Sequence, residues 1–223
     1  MSPVQCQLFS VQVTIFKAAA LFSFFGAVAV SCGRNAGDGG AFVVSPSAAI
    51  DGLHAPWDCL DDRTLFRCFS DGESFYFSYE VTDTTPTYAE NFTGEATVEN
   101  EDRVEIFFSP KRSMDDYYCA EIDPLGRVLD YSGHYYRDID YGWGFRTMRL
   151  VGQLTENGYI VAGKVSKDEL RKLGCDLENG FWMGVFRADY HTDMTVNWYS
   201  AVSTDDISPD FHKPEVLFFT KIR

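Results

Sequence analysis

The stretch Asp102–Tyr131, DRVEIFFSPKRSMDDYYCAEIDPLGRVLDY, constrains the fold more than any other part of the chain, because its side-chain pattern repeats every two residues. Successive side chains of a strand leave on opposite faces. Val104, Ile106 and Phe108 therefore point one way and Arg103, Glu105 and Phe107 the other, as a half-buried strand requires. Residues 109–116 are polar and hold Pro110, which interrupts the alternation. Tyr118, Ala120 and Ile122 then resume an inward face opposite Tyr117, Cys119, Glu121 and Asp123. Asp123–Gly126 has Pro at its second and Gly at its fourth position, the chemistry of a tight turn, and Val128–Tyr131 follows as a third strand. The unit is an antiparallel meander that sets Arg103, Glu105 and Glu121 side by side on one face.

The rest of the chain continues the theme. Residues 48–52, 65–69 and 74–81 read as strands, the last alternating Phe75, Phe77 and Tyr79 against Tyr76, Ser78 and Glu80, and Asp51-Gly52 reads as a turn that ends the first. Trp57 belongs to the core. Residues 83–101 are polar, rich in Thr and without periodicity, a long loop suited to shaping a ligand site. Strands follow at 148–154, 158–165, 181–190, 197–202 and 215–222. The one helical turn, 167–173, has Ser166 as its cap and Gly174 as its stop. Ten or so strands with almost no helix make an all-β antiparallel sandwich, of jelly-roll or related connectivity.

With 223 residues, 45% of them hydrophobic and 16% aromatic, one domain with a sizeable core is expected. A formal net charge of -14 repels phosphate backbones and anionic membrane surfaces, which excludes nucleic acid as a partner. Lys17 followed by the apolar run 18–30 has the length of a signal-peptide core and is short for a bilayer span. Ala29-Val30-Ser31-Cys32 resembles a bacterial lipobox, which would make Cys32 the lipid-bearing residue of an exported protein of the cell envelope, held at the outer membrane or in the periplasm. The alternative is ordinary signal cleavage with Cys32 an incidental thiol. The division is then 1–31 signal, 32–44 flexible tether and 45–223 folded domain, with the membrane met through a lipid anchor alone. Cys59, Cys68, Cys119 and Cys175 show no zinc-ligand spacing; Cys59 and Cys68 pair, or the thiols are buried and free.

Asp102–Phe108, Tyr117-Tyr118, Glu121–Gly126, Gly158-Tyr159, Leu170, Leu173-Gly174, Arg187–Asp189, Trp198 and Phe211–Pro214 occur in that order. Together they resemble the family 9 carbohydrate-binding modules, within the wider DOMON-like sandwiches, in a bacterial exported branch that carries the module alone. The likeness covers roughly residues 45–223. It implies a β-sandwich without catalytic residues that binds oligo- or polysaccharide in the setting of polysaccharide breakdown, beside glycoside hydrolase partners and often with structural calcium. Sugar-binding members sandwich a ring between two tryptophans; here the corresponding segments offer Tyr88 and Phe92 before Asp102, and Trp198 and Phe211 towards the end.

A sugar site needs an aromatic face and a few groups that hydrogen-bond hydroxyls in pairs. Arg103, Glu105, Glu121, Trp143, Arg187 and Trp198 have that chemistry. Each also has a plainer role: tryptophans fill sandwich cores, and Arg103 with Glu105, or Arg187 with Asp189, can form ordinary ion pairs. Acidic pairs such as Asp115-Asp116, Asp138 with Asp140 and Asp205-Asp206 lie in no catalytic motif, so no enzymatic activity is expected. Two alternatives stand beside sugar binding. One is a haem-binding redox domain, which requires an axial His or Met, with Met114, Met148, Met183 and Met194 available. The other is a surface lipoprotein that scaffolds partners.

Overall fold

The computed structural model describes residues 40–45, 47–55, 60–193, 195–204, 206 and 208–222. The export segment, Cys32, Trp57, Cys59 and Met194 lie outside them. Among the described residues thirteen strands form, in chain order β1 (Phe42–Val44), β2 (Ala48–Ala55), β3 (Leu60–Ser70), β4 (Ser74–Thr82), β5 (Arg103–Ser109), β6 (Tyr117–Ile122), β7 (Val128–His134), β8 (Asp138–Asp140), β9 (Arg149–Thr155), β10 (Gly158–Ser166), β11 (Phe181–Tyr190), β12 (Val196–Ser200) and β13 (Phe218–Ile222). The helix α1 spans Lys167–Lys172, with Ser166 Oγ accepting from Glu169 N–H at 3.0 Å and Gly174 in the left-handed region at φ 91°, the cap and stop expected.

The strands make two layers. One runs β8-β7-β6-β5-β11-β12, with β13 on β11 and β1 parallel to β13; the other runs β2-β3-β4-β10-β9. Strand β12 meets β2 at a single residue pair, Ser200 with His54, where the sheet folds over. Between the layers lies the main core, including Ile50, Phe66, Phe77, Tyr79, Ile106, Phe108 and Val185. The turn after β6 closes with Gly126 N–H donating to the Asp123 carbonyl at 2.9 Å, Gly126 being at φ 78°.

Three expectations change. Asp51-Gly52 does not end a strand: Gly52, at φ 84°, forms a bulge inside β2, and the register to β3 shifts between Asp51 and Leu53. The segment expected as tether enters the sheet at Phe42, because Phe42 packs on Phe218 at 5.4 Å and Val44 is buried. Strand β5 is not half-buried, since both of its faces are covered. Its second face holds another apolar cluster of Val98, Phe107, Tyr117, Cys119, Tyr131, Phe186, Phe211 and Leu217. Val98 comes from the 3-10 helix Glu95–Asn100 of the long polar loop, and Phe211 and Leu217 come from the segment before β13. The two segments roof the outer face of β5, β6 and β11 and leave a gap over its charged end.

Candidate functional site

Register decides what lies in that gap. Glu105 faces Glu121 across the β5–β6 ladder, while on the other side Arg103 faces Ala188, which in turn faces Trp198. Directly opposed residues share a face, so Arg103, Glu105, Glu121 and Trp198 all project outward. Ala188 is small, and the Arg103 side chain extends towards Trp198, its guanidinium carbon 5.4 Å from that ring centre and 5.6 Å from that of Tyr190. Arg103 Nε lies 2.8 Å from both Glu105 Oε1 and Glu121 Oε2, and Nη1 donates to the Glu99 carbonyl at 3.0 Å.

That one Nε hydrogen is directed at Glu105. Glu121 Oε1 accepts from the Tyr131 hydroxyl at 2.9 Å, and Glu121 Oε2 is buried with no hydrogen-bond donor, held by charge alone. A dry setting disfavours charge on Glu105. Burial first, then the neighbouring Glu121, pushes the Glu105 carboxyl up to about 8 against the pull of Arg103. The floor is rigid and polar, and Glu105 is 1% exposed.

Around this floor opens a cleft of about 330 Å³, walled by Trp198, Ile139, Tyr141, Arg137 and the segment Pro209–His212. Tyr141 projects into solvent and stands edge-on to Tyr131 at 5.4 Å. Phe211 does not present a free face to the cleft: it stacks on Phe186 at 4.2 Å and meets Trp198 edge-on at 5.3 Å, so it supports the indole from behind. His212 fixes its segment by pairing Nδ1 with the Tyr117 hydroxyl at 2.7 Å, and burial lowers its pKa to about 4. Arg137 donates to Asp210 at 2.8 Å on the rim.

Two residues expected at the site are elsewhere. Arg187 faces Val104 rather than Arg103, which turns it into the sandwich, where it contacts Asp62 at 2.7 Å, Asp83 at 3.0 Å and Asp189 at 3.2 Å. Trp143 packs on Tyr118 at 5.0 Å and Phe145 at 4.8 Å, and Phe145 adjoins the inter-layer core residue Phe108. Away from the cleft, Trp143 serves packing and Arg187 ion pairing. Tyr88 and Phe92 also lie away from the cleft, the latter beneath Arg127 at 5.2 Å. Tyr141, Tyr131, Arg137 and Asp210 were not singled out from sequence. The one signal available was the cluster of aromatics and charges at 134–145, with nothing to say that it folds back over β6.

Structural calcium needs a set of hard oxygen donors. Asp83, Asp102 and Asp189 bring carboxylate oxygens within 4.8 Å of one another, and these are the residues that would hold such an ion. Burial, together with the adjacent Asp83, raises the Asp102 pKa to about 8. Glu105, Cys119 and Glu121 are equally close, but one of the three is a thiol, a soft donor that suits calcium poorly. Cys68, Cys119 and Cys175 are free and buried, and burial pushes Cys175 up to about 12. Met148 and Met183 fill the inter-layer core and Met114 the outer cluster.

The architecture is thus a two-layer antiparallel sandwich with a polar, aromatic-walled cleft on its outer face. Among solved structures the chain is similar to a candidate carbohydrate-binding protein from Bacteroides uniformis, at 18% identity and a TM-score of 0.59, over 78% of this chain and 85% of that one. It is more distantly similar to family 9 carbohydrate-binding modules from Caldicellulosiruptor kristjanssonii. One, in complex with cellotriose, is 16% identical over 72% of this chain and 75% of that one, with a TM-score of 0.49. The other, in complex with glucose, is 18% identical over 82% and 96%, with a TM-score of 0.48. No protein-family description matches the sequence, and no curated protein does.

Proposed function

We propose that the chain is a non-catalytic carbohydrate-binding module of the family 9 type, whose sugar lies over Arg103, Glu105 and Glu121 against Trp198. The observation that carries the reading is an indole beside a buried Arg–Glu–Glu floor in a cleft of about 330 Å³. A pyranose offers apolar C–H faces and neighbouring hydroxyls; the first suit an aromatic ring, the second suit paired charged groups. Because the floor groups are already cross-linked, little side-chain freedom is lost when a ligand arrives. Glu99, Glu121 and Asp210 against Arg103 and Arg137, in a chain of net charge -14, disfavour polyanionic glycans and leave neutral chains.

Hydrolysis fits the geometry poorly. A glycosidase sets its two carboxyl groups on either side of the scissile bond, whereas Glu105 and Glu121 share one Arg103 nitrogen on the same floor. Export, lipidation at Cys32, residence in the bacterial cell envelope and work beside glycoside hydrolases complete the proposal. They rest on the apolar run 18–30, on Ser31-Cys32 and on the family resemblance.

The test is isothermal titration with cello-, xylo-, manno- and galacto-oligosaccharides. Micromolar to millimolar binding by one series, lost in Trp198→Ala while circular dichroism stays unchanged, is the expected result. Absence of heat from all four in folded protein overturns it.

A further inference from the structure

The rim of the cleft continues into a second hollow. Tyr136 is 50% exposed, yet its hydroxyl donates to Asp210 Oδ2 and its ring lies under the Arg137 guanidinium at 5.6 Å. Asp210 and Arg137 are themselves walls of the first cleft. The preceding residue, Tyr135, is 47% exposed, stands edge-on to Tyr136 at 5.3 Å, and borders an open groove of about 690 Å³. Ser203, Thr204, Asp206 and Lys213 line that groove, with Lys213 paired to Asp206 at 2.9 Å.

Of two consecutive tyrosines, one therefore bonds to a wall of the first hollow and the other lines the second. Exposed phenol rings leave apolar area in water. Here one ring is tethered by its hydroxyl, so it can stack on a ligand without being ordered first. Hydroxyl and mixed-charge groups beyond it suit a ligand that is uncharged and rich in hydroxyls. The groove lies one residue from Tyr136, which bonds the cleft wall Asp210, so the next part of the same molecule is the occupant that fits.

We infer that Tyr135, Tyr136 and the adjoining groove form a further sugar subsite, so that the ligand is a chain of three or more residues rather than a mono- or disaccharide. This rests on the sugar-binding reading of the first cleft. The experiment titrates the full chain with oligosaccharides of one to five residues from the four neutral series above, beside Tyr135→Ala. Tyr135 is half in solvent, and its truncation empties no core.

The expected result is an affinity about tenfold higher for the tetrasaccharide than for the disaccharide, a gain abolished by Tyr135→Ala while disaccharide affinity stays within about twofold. Affinity independent of chain length, or a length-dependent gain that survives Tyr135→Ala, overturns the subsite and leaves the first cleft standing. No binding at any length removes both.

Discussion

Replacing Arg103 by Met keeps an unbranched apolar stem and deletes the guanidinium and its charge. In the native protein Arg103 is 6% exposed and its Nε lies 2.8 Å from the carboxylates of Glu105 and Glu121, residues that are 1% and 7% exposed. An exposed pair would contribute about 0–1 kcal/mol. Removing one partner of a buried pair costs about 3–5 kcal/mol, because the other charge is left desolvated. Here two carboxylates are left facing each other, and the stacking on Trp198 and Tyr190 goes too, so the loss should be about 4 kcal/mol. In a domain of this size that lowers Tm by on the order of 10 °C.

The pH dependence gives the reasoning a second check. The Glu105 carboxyl is raised to about 8 in the folded protein from an ordinary 4.5. Between those values the folded state holds a proton that the unfolded state has released, so stability falls as pH rises through that window. Arg103 opposes the rise. Without it the Glu105 pKa climbs further and the decline continues to higher pH, so the loss is larger at pH 9 than at pH 6. Urea melts of wild type and Arg103→Met at pH 6 and pH 9 measure both effects. A loss under about 1 kcal/mol, or equal losses at the two pH values, would refute the picture of a dry, charge-coupled floor.

Trp143→Ala should leave sugar affinity unchanged while costing roughly 1–3 kcal/mol of stability, since its ring packs on Tyr118 and Phe145; titration and melts of one sample separate the two. Binding lost in this variant would place the indole at the site after all. Calcium at millimolar concentration should raise Tm, and Asp102→Asn should abolish that gain, because Asp102 completes the cluster with Asp83 and Asp189. His212, with a pKa lowered to about 4 by burial, is neutral when folded but takes up a proton when unfolded below about 6.5. Stability should therefore decline as pH drops from 6.5 towards 4, and less so in His212→Gln; equal slopes for both would show that His212 is solvated.

The strands were legible because period-two alternation is a local property. Val104, Ile106 and Phe108 against Arg103, Glu105 and Phe107, the Asp123–Gly126 turn and the Ser166 cap each need only neighbouring residues to be read. The side-by-side placement of Arg103, Glu105 and Glu121 followed from the same logic, since a single hairpin sets their register. What failed was local as well. Gly52 reads as a turn by residue type, yet a glycine with positive φ serves a bulge equally, and the neighbouring strand decides which.

The aromatic partners of the floor were a different matter. Trp143 and Trp198 are chemically alike, and Arg103 and Arg187 both sit in alternating strands. Only the pairing of β11 with β5, Ala188 to Arg103 and Arg187 to Val104, turns Arg187 into the sandwich, and the pairing with β12 sets Trp198 beside Arg103. A shift of one residue would exchange those outcomes. Tyr141, Arg137 and Asp210 reach the cleft from segments far along the chain. Side-chain alternation along the chain thus determined that this protein is an antiparallel sandwich carrying a charged cluster on one strand pair. Long-range register and the segments that roof the outer sheet decided where the cluster is covered, where it stays open, and which rings stand over it, because those contacts join residues whose separation in sequence leaves no local trace.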